Sequence, residues 1–298
     1  MQLALGLDAG GTQTRWALAD RSGTVIAQGL APSISGLQLL DDAGRAAVRS
    51  SLQDIAAALP APPLQVVAGI TGFDAGSVPL LAEMTAAPWR LPPSAVRTMS
   101  DIELACHAAF APGQGYVVYA GTGSIAAFVD AAGTLHRAGG RGAIIDDAGG
   151  GHWIARQALR QIWRAEDETP GAWRHSALAR RLFEQIGGAD WSLTRSWVYG
   201  ASRGELGLLA LAVAAAADED AQALALLQDA GRELARLGQA LLQRFGARPL
   251  ALAGRVLDLH PSIEASLRAT LPPGTVATRP ALPAHHAAAR IGAQALTS

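Results

Sequence analysis

No lysine occurs in this chain of 298 residues: all 24 of its basic residues are arginine. That excludes the P-loop type of NTPase, whose lysine lies on the phosphates, and any Schiff-base mechanism. There is one cysteine, Cys106, too few for a disulfide framework, a cysteine-rich zinc site or a self-contained iron–sulfur cluster. An excess of charge is missing too. The formal net charge is −1, so neither nucleic acid nor an anionic membrane is expected as a partner. Residues 1–15 hold no charged segment ahead of an apolar core, and the alanine-rich run near 206–217 is too short to span a bilayer. These readings point to a cytoplasmic chain. Half of its residues are hydrophobic, enough for two domains with buried cores.

The stretch Leu3 to Gly29 organises the rest. An apolar strand (Leu3, Leu5, Leu7) runs into Asp8, then a tight turn at Gly10 and Gly11 with hydroxyls at Thr12 and Thr14. A second strand, Trp16 to Ala19, leads through Asp20-Arg21-Ser22-Gly23 into a third. Backbone amides exposed at such a tip bind anions, and glycine lets a phosphate approach closely. Asp8 at its rim suits a phosphate-bound Mg²⁺, directly or through water. An ordinary hairpin with a buried aspartate is the plain alternative.

The stretch occurs twice. Shifted by 110 positions, Gly11, Thr12 and Thr14 fall on Gly121, Thr122 and Ser124. Asp20, Gly23, Thr24 and Val25 then fall on Asp130, Gly133, Thr134 and Leu135. Two copies of strand, glycine–hydroxyl turn, strand, Asp-x-x-Gly turn, strand imply a duplicated domain. Asp8 is matched by Val118, so only the first copy carries the carboxylate. Two such turns could grip successive phosphates of one nucleotide.

Between the copies, strands and helices alternate as in α/β layers. A helix is expected over Gly44–Leu59, strands over 64–70 and 96–99, and helices around 78–85 and 102–110. Asp101 follows the strand at 96–99, where open α/β sheets place ligand groups. It reads either as the cap of the next helix or as a general base taking a proton from an attacking hydroxyl. After the second hairpin, the glycine-dense stretch 139–151 carries Asp146 and Asp147 and runs into a helix at Trp153–Trp163. Its backbone must approach a ligand, or else it is an open surface loop with acidic tips. The remainder reads as helical over 176–184 and 205–245, with Leu227, Leu234 and Leu241 on one stripe. A strand at 250–252 then runs into Ala253-Gly254, and a closing helix spans 283–296.

Asp8-Ala9-Gly10-Gly11-Thr12, Gly121-Thr122-Gly123-Ser124 and Gly139-Gly140-Arg141-Gly142 with Asp147 and Gly149 resemble the motifs of N-acetylglucosamine and glucosamine kinases. Those enzymes belong to the BadF/BadG/BcrA/BcrD ATPase family, within the actin–hexokinase fold superfamily. The resemblance runs through the chain in order. It implies an α/β fold of duplicated ribonuclease-H-like (actin-like ATPase) domains around a nucleotide cleft. The first domain would span 1–112, with the closing helix 284–298 packing back on it, and the second 113–283. It also implies ATP and Mg²⁺ as cofactors and transfer of the γ-phosphoryl group to a sugar hydroxyl, the 6-hydroxyl of an amino sugar. Gly10, Gly11, Thr12, Thr14, Gly121, Thr122, Gly123 and Ser124 would hold the nucleotide phosphates and Asp8 the metal. Ala253 and Gly254 would lie against adenosine, although the family has two glycines there. Asp101 would be the base, and Ser35, Asp101, Gly139, Gly140 and Asp147 would meet the sugar. Ser33-Ile34-Ser35 stands where members carry an asparagine, and Ala148 where they carry Glu or Gln. A hydroxyl partner lost in either place changes discrimination between sugars. A homodimer is suggested by the resemblance alone. Two other readings remain: an iron–sulfur ATPase activator of the same family, against which a lone Cys106 argues, and a sugar or nucleotide sensor.

Overall fold

The computed structural model describes residues 2–11 and 13–297. It divides into two compact units, one of Met1–Gly113, Val129–Thr134 and Pro280–Ser298, the other of Gln114–Phe128 and Leu135–Arg279. The hairpin turn at Val129–Thr134 goes with the first unit, where Val129 accepts a backbone bond of 2.8 Å from Gly113.

The first unit contains β1 (Leu3–Ala9), β2 (Thr14–Asp20), β3 (Val25–Ala31), α1 (Asp42–Ala58), β4 (Gln65–Ile70), α2 (Val78–Ala86), β5 (Val96–Ser100) and α3 (Asp101–Ala109). Its sheet has the order β3-β2-β1-β4-β5, with β1 antiparallel to β2 and parallel to β4. The second unit contains β6 (Tyr116–Ala120), β7 (Ser124–Val129), β8 (Leu135–Gly139), α4 (Gly151–Glu168), α5 (Ala177–Ile186), α6 (Trp191–Gly200), α7 (Arg203–Ala216), α8 (Ala221–Phe245), β9 (Leu250–Ala253), α9 (Pro261–Thr270) and β10 (Ala277–Thr278). Its sheet, read from β8, runs β8-β7-β6-β9-β10, the same order position for position. The last helix, α10 (Ala284–Ala295), belongs to the first unit.

The repeat extends to single hydrogen bonds. Asp20 Oδ1 accepts from the amides of Ser22 (2.9 Å) and Thr24 (3.1 Å), and Asp130 Oδ1 from those of Ala132 and Thr134, both at 2.9 Å. Gly23 and Gly133 both adopt φ 82°. Short Asp-x-x-Gly turns of this kind fix the hairpin register, and with it which residues face the core. The fold is the duplicated actin-like α/β architecture that the motifs imply.

Local chemistry sets the boundaries. The helical stretch expected over 205–245 is two helices, because Asp220 caps a new one by accepting from the amides of Gln222 (3.0 Å) and Ala223 (3.2 Å). Leu227, Leu234, Leu237 and Leu241 of that second helix are buried in the core of their unit. Helices α6 and α9 and the strand β10 lie where the sequence pattern named no element.

Candidate functional site

In the first unit, the carboxyl ends of parallel strands gather the assigned groups. Asp8 on β1 stands level with Gly69 on β4, and Ile70 pairs with Ser100, next to Asp101. Backbone bonds tie neighbouring loops to this edge. Thr71 donates to Ala9 (2.9 Å) and Gly36 donates to Thr71 (2.9 Å), which brings the Ser35 loop alongside. Gly10 closes its turn on the Gln13 carbonyl at 3.1 Å.

Asp101 is not the cap of α3. Ser100 fills that role, accepting from the Glu103 amide at 3.2 Å, so the Asp101 carboxylate is not needed there. Its Oδ1 accepts from the Ile102 amide at 2.8 Å. Asp8 carries a pKa raised to about 6, first by burial, then by the negative charge of Asp101, against the opposing pull of Arg15 across the β1–β2 ladder. An ionised Asp8 is therefore costly in the folded chain. Among the described residues no group of three or more His, Cys, Asp or Glu could hold a metal. The donor set around Asp8 suits instead a hard divalent cation that takes one or two carboxylates and completes its shell with water and phosphate oxygens.

A prediction follows from the sign of that shift. Below about pH 4 Asp8 is protonated in both folded and unfolded chain and contributes nothing. Above about pH 6 the folded chain bears the full penalty, about 3 kcal/mol. Asp8→Asn is therefore expected to unfold at a higher temperature than the parent at pH 8 without divalent ions. The gain should shrink as the pH falls through 6 and vanish near 4. Thermal unfolding across that pH range measures it, and an Asn variant less stable at pH 8 contradicts it.

In the second unit, the loop after β6 is held from several sides. Gly121 donates to Gly123 (2.8 Å), Gly151 donates to Gly121 (2.9 Å), and His152 donates to Thr122 (3.0 Å). The start of α4 is thereby fastened to the loop. Gly140 donates to Ser124 at 3.0 Å, which brings the glycine-dense stretch over the same place. Gly254 stands at the end of β9 with φ 99°, and a Cβ there would lie 2.8 Å from the Ala120 nitrogen. Only glycine fits so close to a neighbouring backbone at that angle, and this seats Ala253-Gly254 beside the Gly121–Ser124 loop.

Several assigned side chains point elsewhere. Thr14 is fully buried and its hydroxyl has no partner among the described residues, since it opens β2 on the same inward face as Trp16. Ser124, its counterpart, is buried and donates to the Ala148 carbonyl at 2.6 Å. Ser35 spends its hydroxyl as a helix cap, accepting from the Leu37 amide at 3.2 Å. Thr12 lies outside the described residues. Gly139 and Gly140 have φ 70° and 64° and pack on Leu237 and Ile125. Asp147 is 5% exposed, accepts from the Gly142 amide at 3.1 Å and pairs with Arg203. Asp146 pairs with Arg236 at 3.0 Å. Neither pairing is visible in the sequence, because 56 residues separate Arg203 from Asp147 and 90 separate Arg236 from Asp146.

Among the solved structures that resemble it, a candidate N-acetylglucosamine kinase from Chromobacterium violaceum is 27% identical, with a TM-score of 0.76 and 99% of each chain covered. A candidate N-acetylglucosamine kinase from Porphyromonas gingivalis is 18% identical, with a TM-score of 0.73 and 96% of each chain covered. A ROK family glucokinase from Streptomyces griseus, solved with glucose and AMPPNP, is 18% identical, with a TM-score of 0.59 and 99% of this chain and 98% of that one covered. No curated protein matches by sequence. The sequence pattern of the BadF/BadG/BcrA/BcrD ATPase family matches residues 5–289, through both sheets and both glycine loops, and the chain belongs to that family.

Proposed function

We propose that the chain is an ATP-dependent kinase that transfers the γ-phosphoryl group to a hydroxyl, the 6-hydroxyl by resemblance, of N-acetylglucosamine or glucosamine. The observation that carries this reading is the pair of carboxylates at the carboxyl ends of parallel strands, Asp101 beside a half-buried Asp8 whose pKa is raised to about 6. One would serve the acceptor and the other a metal. Similarity at 27% identity over the whole chain to a candidate N-acetylglucosamine kinase supports the sugar.

In this reading the amides of Gly10 to Thr12 and of Gly121 to Ser124 take the nucleotide phosphates, and Ala253-Gly254 lies against adenosine. Thr14 and Ser124 support those loops from inside instead of touching the nucleotide. Asp101 accepts the proton of the sugar hydroxyl as its oxygen bonds to the γ-phosphorus and the bond to ADP breaks. Asp8 would hold Mg²⁺, whose charge offsets the negative charge on the transferring phosphoryl group when bound. Gly139, Gly140, Asp147 and the Ser35 loop would line the sugar. A homodimer in the cytoplasm belongs to the same reading and rests on the resemblance. The iron–sulfur activator reading is disfavoured by Cys106, which is buried within α3 with its thiol pushed up to about 12 by burial and by Glu103.

The test is ADP release with Mg-ATP against a panel of N-acetylglucosamine, glucosamine, glucose and other hexoses. The expected result is ADP formed one for one with a phosphorylated amino sugar. Turnover with none of the panel would overturn the reading, and iron in anaerobically purified protein would replace it with the activator.

A further inference from the structure

One cation of the second unit has no part in the roles above. Arg203 is the first residue of α7, and its guanidinium pairs with Asp147. The two partners differ sharply in exposure: the Arg203 side chain is 48% exposed, that of Asp147 4%. A carboxylate so buried needs a countercharge. It does not need the open half of a guanidinium, which carries five N–H donors in a planar fork. Among the described residues only Nη2 is engaged, on Asp147.

The pair sits on the glycine loop. A Cβ at Gly123 would meet both Arg203 Nη2 and Asp147 Oδ2. One turn further along α7, Gly207 packs on Thr122, whose methyl carbon would lie 3.3 Å from a Cβ at that position. Helix α7 thus rests on the Gly121–Ser124 loop at two successive turns, and it carries the guanidinium to the loop's edge. His152, fastened to Thr122, has its pKa lowered by burial first and then by Arg203 and Arg156, with Asp147 pulling the other way. In a chain without lysine the permanently charged phosphate contacts fall to arginine, and arginine suits phosphate through its bidentate geometry.

We propose that Arg203 contacts a phosphate oxygen of the nucleotide held at Gly121–Ser124, with Asp147 locking the guanidinium in place. The proposal rests on the kinase reading. Asp147 is then a positioning residue for the phosphate as well as a group near the sugar.

The test is equilibrium binding of AMPPNP, ADP and adenosine to the parent chain, Arg203→Ala, Arg203→Lys and Asp147→Asn, with thermal unfolding of each as the folding control. Arg203→Ala is expected to lose on the order of 10- to 100-fold in AMPPNP affinity, with adenosine unaffected and lysine restoring part of the loss. Asp147→Asn should weaken AMPPNP binding less, because the cation remains. Equal AMPPNP affinity in the parent and a folded Arg203→Ala overturns the phosphate contact and leaves the kinase reading standing. A uniform loss for AMPPNP and adenosine, matched by Asp147→Asn, also overturns it, since Arg203 would then only prop the loop. A parent chain that binds no nucleotide overturns both.

Discussion

Asp101→Asn is expected to cut phosphorylation of the acceptor sugar by a factor of about 10² or more while leaving nucleotide affinity within a few-fold of the parent. The substitution keeps the local structure. Asparagine still offers an oxygen to the Ile102 amide, now 2.8 Å from Oδ1, and Ser100 continues to cap α3. What disappears is the proton acceptor. A secondary effect runs the other way: the Asp101 charge helps raise the pKa of Asp8, so its removal should ease ionisation of Asp8. Metal-nucleotide binding should therefore hold or improve as turnover collapses. Steady-state rates alongside equilibrium binding of AMPPNP separate the two, and near-full turnover in a folded variant would refute the role of base.

The second large effect concerns stability. Gly6 lies in the middle of β1, and a Cβ there would run into the backbone of α10 at His285, Ala288 and Ala289. Backbone cannot step aside as a side-chain end can. Gly6→Ala is expected to destabilise the protein by about 3 kcal/mol and to loosen α10 from the sheet, making residues 284–295 sensitive to protease. Gly292→Ala on the facing helix is the control. Its Cβ would lie 3.0 Å from the Ala4 Cβ and 3.5 Å from Val67, and the gain in helix propensity, up to about 1 kcal/mol, offsets that crowding. Denaturant unfolding should rank the two far apart. Similar costs for both would mean that the contact at Gly6 is soft.

The repeated hairpin was legible in sequence because its information is local: a glycine pair, a hydroxyl, and an Asp-x-x-Gly turn at matched spacing. The same locality does not tell where the side chains of Thr14 and Ser124 point. Their spacing from the glycines is conspicuous, yet strand alternation turns both inward, where one has no partner among the described residues and the other bonds to Ala148. The cap of α3 shows a related limit, since Ser100 and Asp101 are both good caps and only the backbone decides between them. Arg203 was illegible for a different reason. Its meaning comes from Asp147 and Gly123, which the fold brings together from distant parts of the chain. Helix α9, by contrast, carried a readable signal, a proline at its first position after His260.

The position of α10 has a consequence for biosynthesis. The small-residue face of β1 leaves the ribosome well before the helix that covers it, residues 284–295. During translation the first unit must therefore wait for α10 with one side of its sheet bare, a state in which chaperone engagement or clumping competes with completion of the fold.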